Sequence, residues 1–213
     1  MNGSNMGKNM EARSDAPRPR GRPRVVKREQ ALDAAMRVFW AEGYDAASVD
    51  RLCRETGMPR ASLYQDFGGK EGLFLAAIPH YVETRIEPVA DALGPKGMLE
   101  TDLSAFFGEV VALATRDAAT PGCLISCVLA EVAGANETFR EELDRRFSAL
   151  EDRIARRLDH GIHSGVSVET RALAGMLAAV ARGIMLRARS GAKAPDLLAI
   201  AGVAVRSAVR GLA

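Results

Sequence analysis

The chain has 213 residues, 47% of them hydrophobic and 26% charged, enough for one or two packed domains. No uninterrupted apolar run reaches membrane-spanning length, and the polar start of the chain has no apolar segment that could serve as a secretory signal, so a membrane protein is excluded and a soluble one expected. Three cysteines, Cys53, Cys123 and Cys127, are too few for a disulfide framework and suit a reducing cytoplasm.

The net charge of +2 hides an uneven distribution. Residues 1–28 carry eight Lys or Arg against two acids, and the remainder carries 21 against 25. Residues 1–25 lack the large apolar side chains that could cover a core and read as a disordered basic arm. Within the arm, Arg18-Pro19-Arg20-Gly21-Arg22-Pro23-Arg24 combines an extended backbone with Arg20, Arg22 and Arg24, a chemistry suited to the deep negative potential of a narrow minor groove.

From residue 26 to 42, Leu32, Ala35, Met36 and Phe39 recur at three- and four-residue steps and predict a first helix that ends at Gly43, with Tyr44 packed under the turn. Ser48 is placed as the N-cap of a second helix ending near Thr56, where its hydroxyl can accept from the backbone or donate to a phosphate. Gly57 supplies a sharp turn, and Pro59 opens a short helix over residues 59–66. Two short helices joined by a glycine turn are a helix-turn-helix, whose second helix enters a DNA major groove.

The order Phe39, Gly43-Tyr44, Ser48, Gly57, Ser62-Leu63-Tyr64, Phe67, Lys70-Glu71, Leu73-Phe74 resembles the DNA-binding domain of the TetR family of bacterial transcriptional regulators over residues 27–75. The resemblance implies an all-α protein of about nine helices: a three-helix DNA-binding domain (26–75) followed by a helical bundle for ligand binding and dimerisation (76–213). It also implies a homodimeric, non-enzymatic transcriptional regulator, a repressor released from a palindromic double-stranded operator by a small-molecule or thiol-reactive effector. Arg60, Ala61 and Ser62 then occupy the exposed first turn of the recognition helix, with Gln65 one turn on. Arg60 suits a bidentate guanine contact and Ala61 a thymine methyl. Tyr64 and Lys70 match residues that meet phosphates, which fix register without reading sequence. Gln65 and Asp66 depart from the aromatic residue common in the family after the tyrosine, and Asp66 is expected to turn inward towards an arginine.

Beyond Lys70 a helix is predicted to run towards Ala92, with Pro79 and Pro88 each kinking or interrupting it. After the break at Gly94-Pro95-Lys96-Gly97, helices are predicted over residues 98–116, 123–132, 137–158, 168–189 and 195–212. In the last, Leu198, Ala201, Val205, Ala208 and Leu212 share a face. The final two helices are either a four-helix dimer interface, as the resemblance implies, or the closing layer of one bundle.

Cys123 follows Pro121-Gly122 at a helix start, with Cys127 four residues on, so the pair reads either as an oxidant or electrophile sensor or as core thiols. Phe106, Phe107, Met176 and Met185 are candidate walls of an effector pocket. His80, His160 and His163 form no recognisable ligand constellation with the cysteines and read as surface residues, so neither metal nor cofactor is predicted. A thiol enzyme built on Cys123 would lack a recognisable activating base, and a helical adaptor would leave the basic arm unexplained.

Overall fold

The computed structural model describes residues 24–160 and 167–212, with backbone alone for 24–27. Among the described residues the architecture is entirely helical. Helix α1 (Arg24–Glu42) turns Ala35, Met36 and Phe39 into the core at the predicted spacing. Helix α2 (Val49–Thr56) begins at Ser48, whose hydroxyl oxygen accepts from the Arg51 amide at 3.2 Å, and ends at Gly57, held at φ 66° where a side chain would be strained. Helix α3 (Arg60–Phe67) buries Leu63, and α4 (Lys70–Tyr81) buries Leu73, Phe74, Ala77, Ile78 and Tyr81.

Helices α3 and α4 meet so closely that Gly72 must be glycine: a Cβ there would lie 1.7 Å from the Phe67 carbonyl oxygen. This close approach fixes the angle between the short helix and the long one.

Neither proline ends the fourth helical run. Pro79 lies inside α4, and the backbone then widens into a π-helical turn (Val82–Ile86), α5 (Glu87–Ala90) and a 3₁₀ turn (Asp91–Leu93). The Glu87 amide donates to the Val82 carbonyl, so the pairing has lengthened by one residue just ahead of Pro88, which has no amide to contribute.

The body is built on α6 (Leu99–Thr115), whose Leu103, Phe106, Phe107, Val110, Val111 and Ala114 are buried. Around it lie a π-helical turn (Leu124–Leu129) running into α7 (Ala130–Ala133), then α8 (Glu137–Asp159), α9 (Val168–Arg189) and α10 (Ala194–Gly211). Asn136 and Ser167 cap α8 and α9 by accepting the amides of Phe139 and Thr170. In α10 the inward face is Leu197, Ala201, Ala204, Val205 and Ala208; Leu198, predicted to lie on it, is 48% exposed and Leu212 also faces outward. Small alanines on the inner face let α10 approach α6 and α9, which turns its bulky Leu198, Ile200 and Val203 to the outside.

Among the described residues, one ion pair of the body has both side chains buried. Arg157 Nε donates to Asp102 Oδ2 at 2.8 Å, the same oxygen accepts the Lys96 amide at 3.0 Å, and Arg157 Nη2 donates to the Gly97 carbonyl at 3.1 Å. The Lys96 amide first, and then the guanidinium, hold the Asp102 carboxyl below its ordinary range. This pair ties α8 to α6 and to the Gly94–Gly97 turn.

Candidate nucleic-acid interface and effector cavity

With Leu63 pointing inward, the other side of α3 presents Arg60, Ala61, Tyr64 and Gln65 to solvent, and Ser62 is half-buried. The Arg60 guanidinium carbon lies 5.9 Å from the Tyr64 ring centroid, as expected for residues one turn apart on one face. Arg60 Nη1 also meets Asp50 Oδ1 at 3.1 Å, but both side chains are mostly exposed and such a pair is weak. Its other donors have no hydrogen-bond partner among the described residues and can meet a base edge.

Ser48 is exposed beside this face; its oxygen accepts from the Arg51 amide, which leaves the hydroxyl proton free to donate. Lys70, first residue of α4, donates from Nζ to the Asp45 carbonyl at 3.2 Å and sits 4.5 Å from the Tyr44 ring centroid, so its ammonium is fixed at the edge of the domain. Asp66 is exposed rather than turned inward, since the inward positions at this end of α3 are taken by Leu63 and Phe67. Arg20 and Arg22 lie outside the described residues, as does the side chain of Arg24.

The second feature is a cavity of about 70 Å³ in the body. Phe106, Val110, Cys123, Ile125, Phe147 and Met185 form its apolar walls, with Arg146 and Arg182 beside them. Two predicted wall residues are absent from it. Phe107 packs against Phe106 in the core at a centroid distance of 5.2 Å, and Met176 is 43% exposed on α9. Cys127 is also elsewhere, with its sulfur 3.9 Å from the Met185 carbonyl, and burial pushes its thiol pKa up. Cys123 lies just ahead of the helical turn in extended backbone, at φ −139° and ψ 134°, so the helical four-residue spacing does not set how the two side chains are related.

Cys123 is buried and its sulfur accepts a hydrogen bond from the Tyr81 hydroxyl at 3.3 Å. Burial, followed by the neighbouring Cys123, pushes the Tyr81 phenol well above its ordinary value, so it stays protonated and donates. The Tyr81 ring meets Trp40 of α1 edge-on at 5.0 Å; Trp40 Nε1 donates to the Pro121 carbonyl at 3.3 Å, and Arg189 donates to the Trp40 carbonyl at 2.9 Å. A second seam joins the two halves. Phe139 of α8 packs edge-on against Phe74 at 5.4 Å and Tyr44 at 5.1 Å, and Asn136 donates to Glu71 at 3.2 Å.

Tyr81, Trp40 and Phe139 link the halves, yet each reads from sequence only as an apolar core position. Asn136, immediately ahead of Glu137, was legible as a helix cap. His80 is not a surface residue: its imidazole is largely buried between helices, with Nε2 3.7 Å from Asp33 Oδ1. His160 is exposed at the end of α8, and His163 lies outside the described residues. No cluster of three or more metal-ligating side chains occurs among the described residues, and none of their helices is long and apolar enough to cross a membrane.

A compact helical head with an outward recognition helix, carried on a cavity-bearing helical body, defines a helix-turn-helix DNA-binding transcriptional regulator. The chain belongs to the TetR family: residues 31–77 match the family model described as bacterial regulatory proteins, tetR family, and residues 100–199 match the tetracyclin repressor-like C-terminal domain. It is 29% identical over 191 residues to the HTH-type transcriptional repressor ComR of Escherichia coli K12, covering 88% of this chain and 91% of that protein. It is likewise 29% identical over 188 residues to the repressor BdcR of the same strain, covering 86% and 90%. Among solved structures it resembles the TetR family transcriptional regulator CifR, a cysteine mutant complexed with 26-bp double-strand operator DNA. The TM-score there is 0.77 at 29% identity, over 89% of this chain and 98% of that one.

Proposed function

We propose that this regulator is a cytoplasmic homodimeric repressor that binds a near-palindromic double-stranded operator and is released by an effector entering the body cavity. The observation that carries the reading is the solvent-facing row Arg60, Ala61, Tyr64 and Gln65 on α3, opposite the buried Leu63. Arg60 and Ala61 read base edges; Ser48, Tyr64 and Lys70 take phosphates; Ser62 and Gln65 complete the contact face. Arg20, Arg22 and Arg24 follow the adjacent minor groove. The head comprises residues 26–75 and the regulatory body 76–213. Repression as the sense of regulation is supported by the repressors ComR and BdcR, and the operator by the DNA-bound CifR.

Dimerisation is supported by the outer faces of α9 and α10, where Met176, Leu186, Leu198, Ile200 and Val203 are exposed apolar side chains on neighbouring helices. Pairing these faces with their copies sets the separation of the two recognition helices at about one helical turn of DNA, roughly 34 Å, or somewhat more. An effector acts by favouring a separation that does not fit, and it lowers operator affinity by its difference in binding between the two states. The cavity is smaller than a drug-sized site, so occupancy expands it. Cys123 in its wall is the point where a thiol-reactive effector would attach.

Footprinting of the full chain on the DNA upstream of its own gene tests the reading. Two protected half-sites are expected at low salt, lost in the Tyr64→Ala/Lys70→Ala protein. Absence of protection by the unmodified dimer, or a monomer at every concentration, would overturn it.

A further inference from the structure

The cavity offers guanidinium donors as well as apolar walls, and the two together point to its occupant. Resting on the proposed effector site, we infer that the ligand is an amphipathic organic anion: an apolar body of medium length with a carboxylate at one end. The apolar walls are those already described. Arg146 is fixed by one edge only, with Nε donating to the buried Glu142 at 2.7 Å, and Arg145 draws on the same carboxylate. Arg182 is fixed through Nη2 to Glu151 at 2.7 Å and to the Phe147 carbonyl at 3.1 Å, with its guanidinium 3.8 Å over the Phe147 ring. Each of the two therefore keeps an Nη1 group without a partner among the described residues.

A groove of about 200 Å³ adjoins the cavity and shares Arg146, Ile125 and Leu150 with it. Arg153 and Arg156 lie along this groove; Arg153 is closed on Glu87 and Asp91, but Arg156 is exposed and has no ion pair among the described residues. The apolar chamber thus opens along a lane of arginines: Arg146, Arg153 and Arg182 are each held by carboxylates, and Arg156 has no ion pair among the described residues. A cation would find no unpaired carboxylate in the lining, since Glu87 is held by Arg153. A small inorganic anion would leave the apolar walls uncovered, and a neutral hydrocarbon would leave the spare guanidinium donors unused. A carboxylate on an apolar chain satisfies both halves, because the planar guanidinium fork matches its two oxygens.

Calorimetric titration of the full chain with octanoate and with octanol tests the assignment. Octanoate is expected to bind about tenfold or more tightly than octanol, the value of a hydrogen bond to a charged group. Arg146→Gln/Arg156→Gln should lower octanoate binding towards the octanol level, Arg182 retaining the remainder, and leave octanol unchanged. Arg156→Gln alone, at an exposed unpaired site where folding is not at stake, should give part of that loss. Equal affinity for the two probes, octanoate binding indifferent to both variants, or no binding of either probe overturns the inference. If octanoate binds with the expected preference but leaves operator affinity unchanged, the charge assignment holds and the release mechanism of the proposed function falls.

Discussion

The hydroxyl of Tyr81 donates to the sulfur of Cys123 across 3.3 Å, and this bond joins the far end of α4 to the wall of the cavity. The same helix begins at Lys70, beside the recognition helix. Anything that enlarges the cavity at Cys123 therefore presses first on the residue that closes α4. On its other side Tyr81 meets Trp40 near the end of α1, so a displacement would reach the head through two helices at once.

Tyr81→Phe keeps the ring against Trp40 and removes only the donor. The expected cost is about 1 kcal/mol in urea unfolding, the usual net value of one hydrogen bond. Trp40 is the only tryptophan in the chain, so its emission reports on this contact. Alkylation at Cys123 should shift that emission in the parent protein, with no shift in Cys123→Ser. A loss above about 3 kcal/mol would mean that the ring itself had moved, as in a large-to-small core change.

The two kinds of DNA contact should separate by salt. Lys70→Ala is expected to weaken binding to all sequences alike and to reduce the slope of log affinity against log salt by about 1. Arg60→Ala should cost about 1–3 kcal/mol on the operator and relax discrimination at one base pair. Titration of operator and scrambled duplexes at several salt concentrations distinguishes them. An equal loss on both duplexes for Arg60→Ala would assign it to the backbone.

What could be read before the fold was known follows a physical line. Helix limits in the head were legible because each is marked by a residue with a local job: Ser48 as a cap, Gly57 at positive φ, Pro59 at a helix start. The outward row on α3 follows once Leu63 is fixed inward. The cavity was only half legible, with Phe106 and Met185 in its wall and Phe107 and Met176 outside it, because hydrophobicity does not say which side of a helix faces a void. Leu197 and Leu198 differ by a single step, and the choice between them depends on the alanines opposite α6 and α9. The π-helical turns cannot be read from a 3.6-residue period at all, and neither can the extended backbone at Cys123 that takes it out of helical spacing with Cys127. Cation contacts made across the body, such as Arg182 over Phe147, join residues 35 apart and leave no local mark.

Gly72→Ala is expected to be more damaging than its position in a helix suggests. Alanine is the better helix former, by about 1 kcal/mol over glycine. Here its methyl would meet the Phe67 carbonyl, so α3 must shift away from α4. Overpacking of this kind costs about 1–3 kcal/mol, enough to reverse the gain. Thermal unfolding together with operator titration checks it. A protein that is more stable and binds DNA normally would show that the two helices can part without consequence.

Acid should act on the body through Asp102. Its carboxyl is held below the ordinary range in the folded protein, so folding favours the ionised form. The stability it contributes is present above the unfolded value, about 4, and is lost as pH falls through that value towards the lower folded one. Protonation would weaken the acceptor for the Lys96 amide and leave Arg157 buried without its counter-charge. Asp102→Asn should therefore lower stability at neutral pH and flatten the acid limb of the stability curve. Urea midpoints measured from neutral pH into the acid range compare the two proteins directly. Parallel curves would mean that the Asp102–Arg157 pair does not govern acid unfolding and that another carboxylate does.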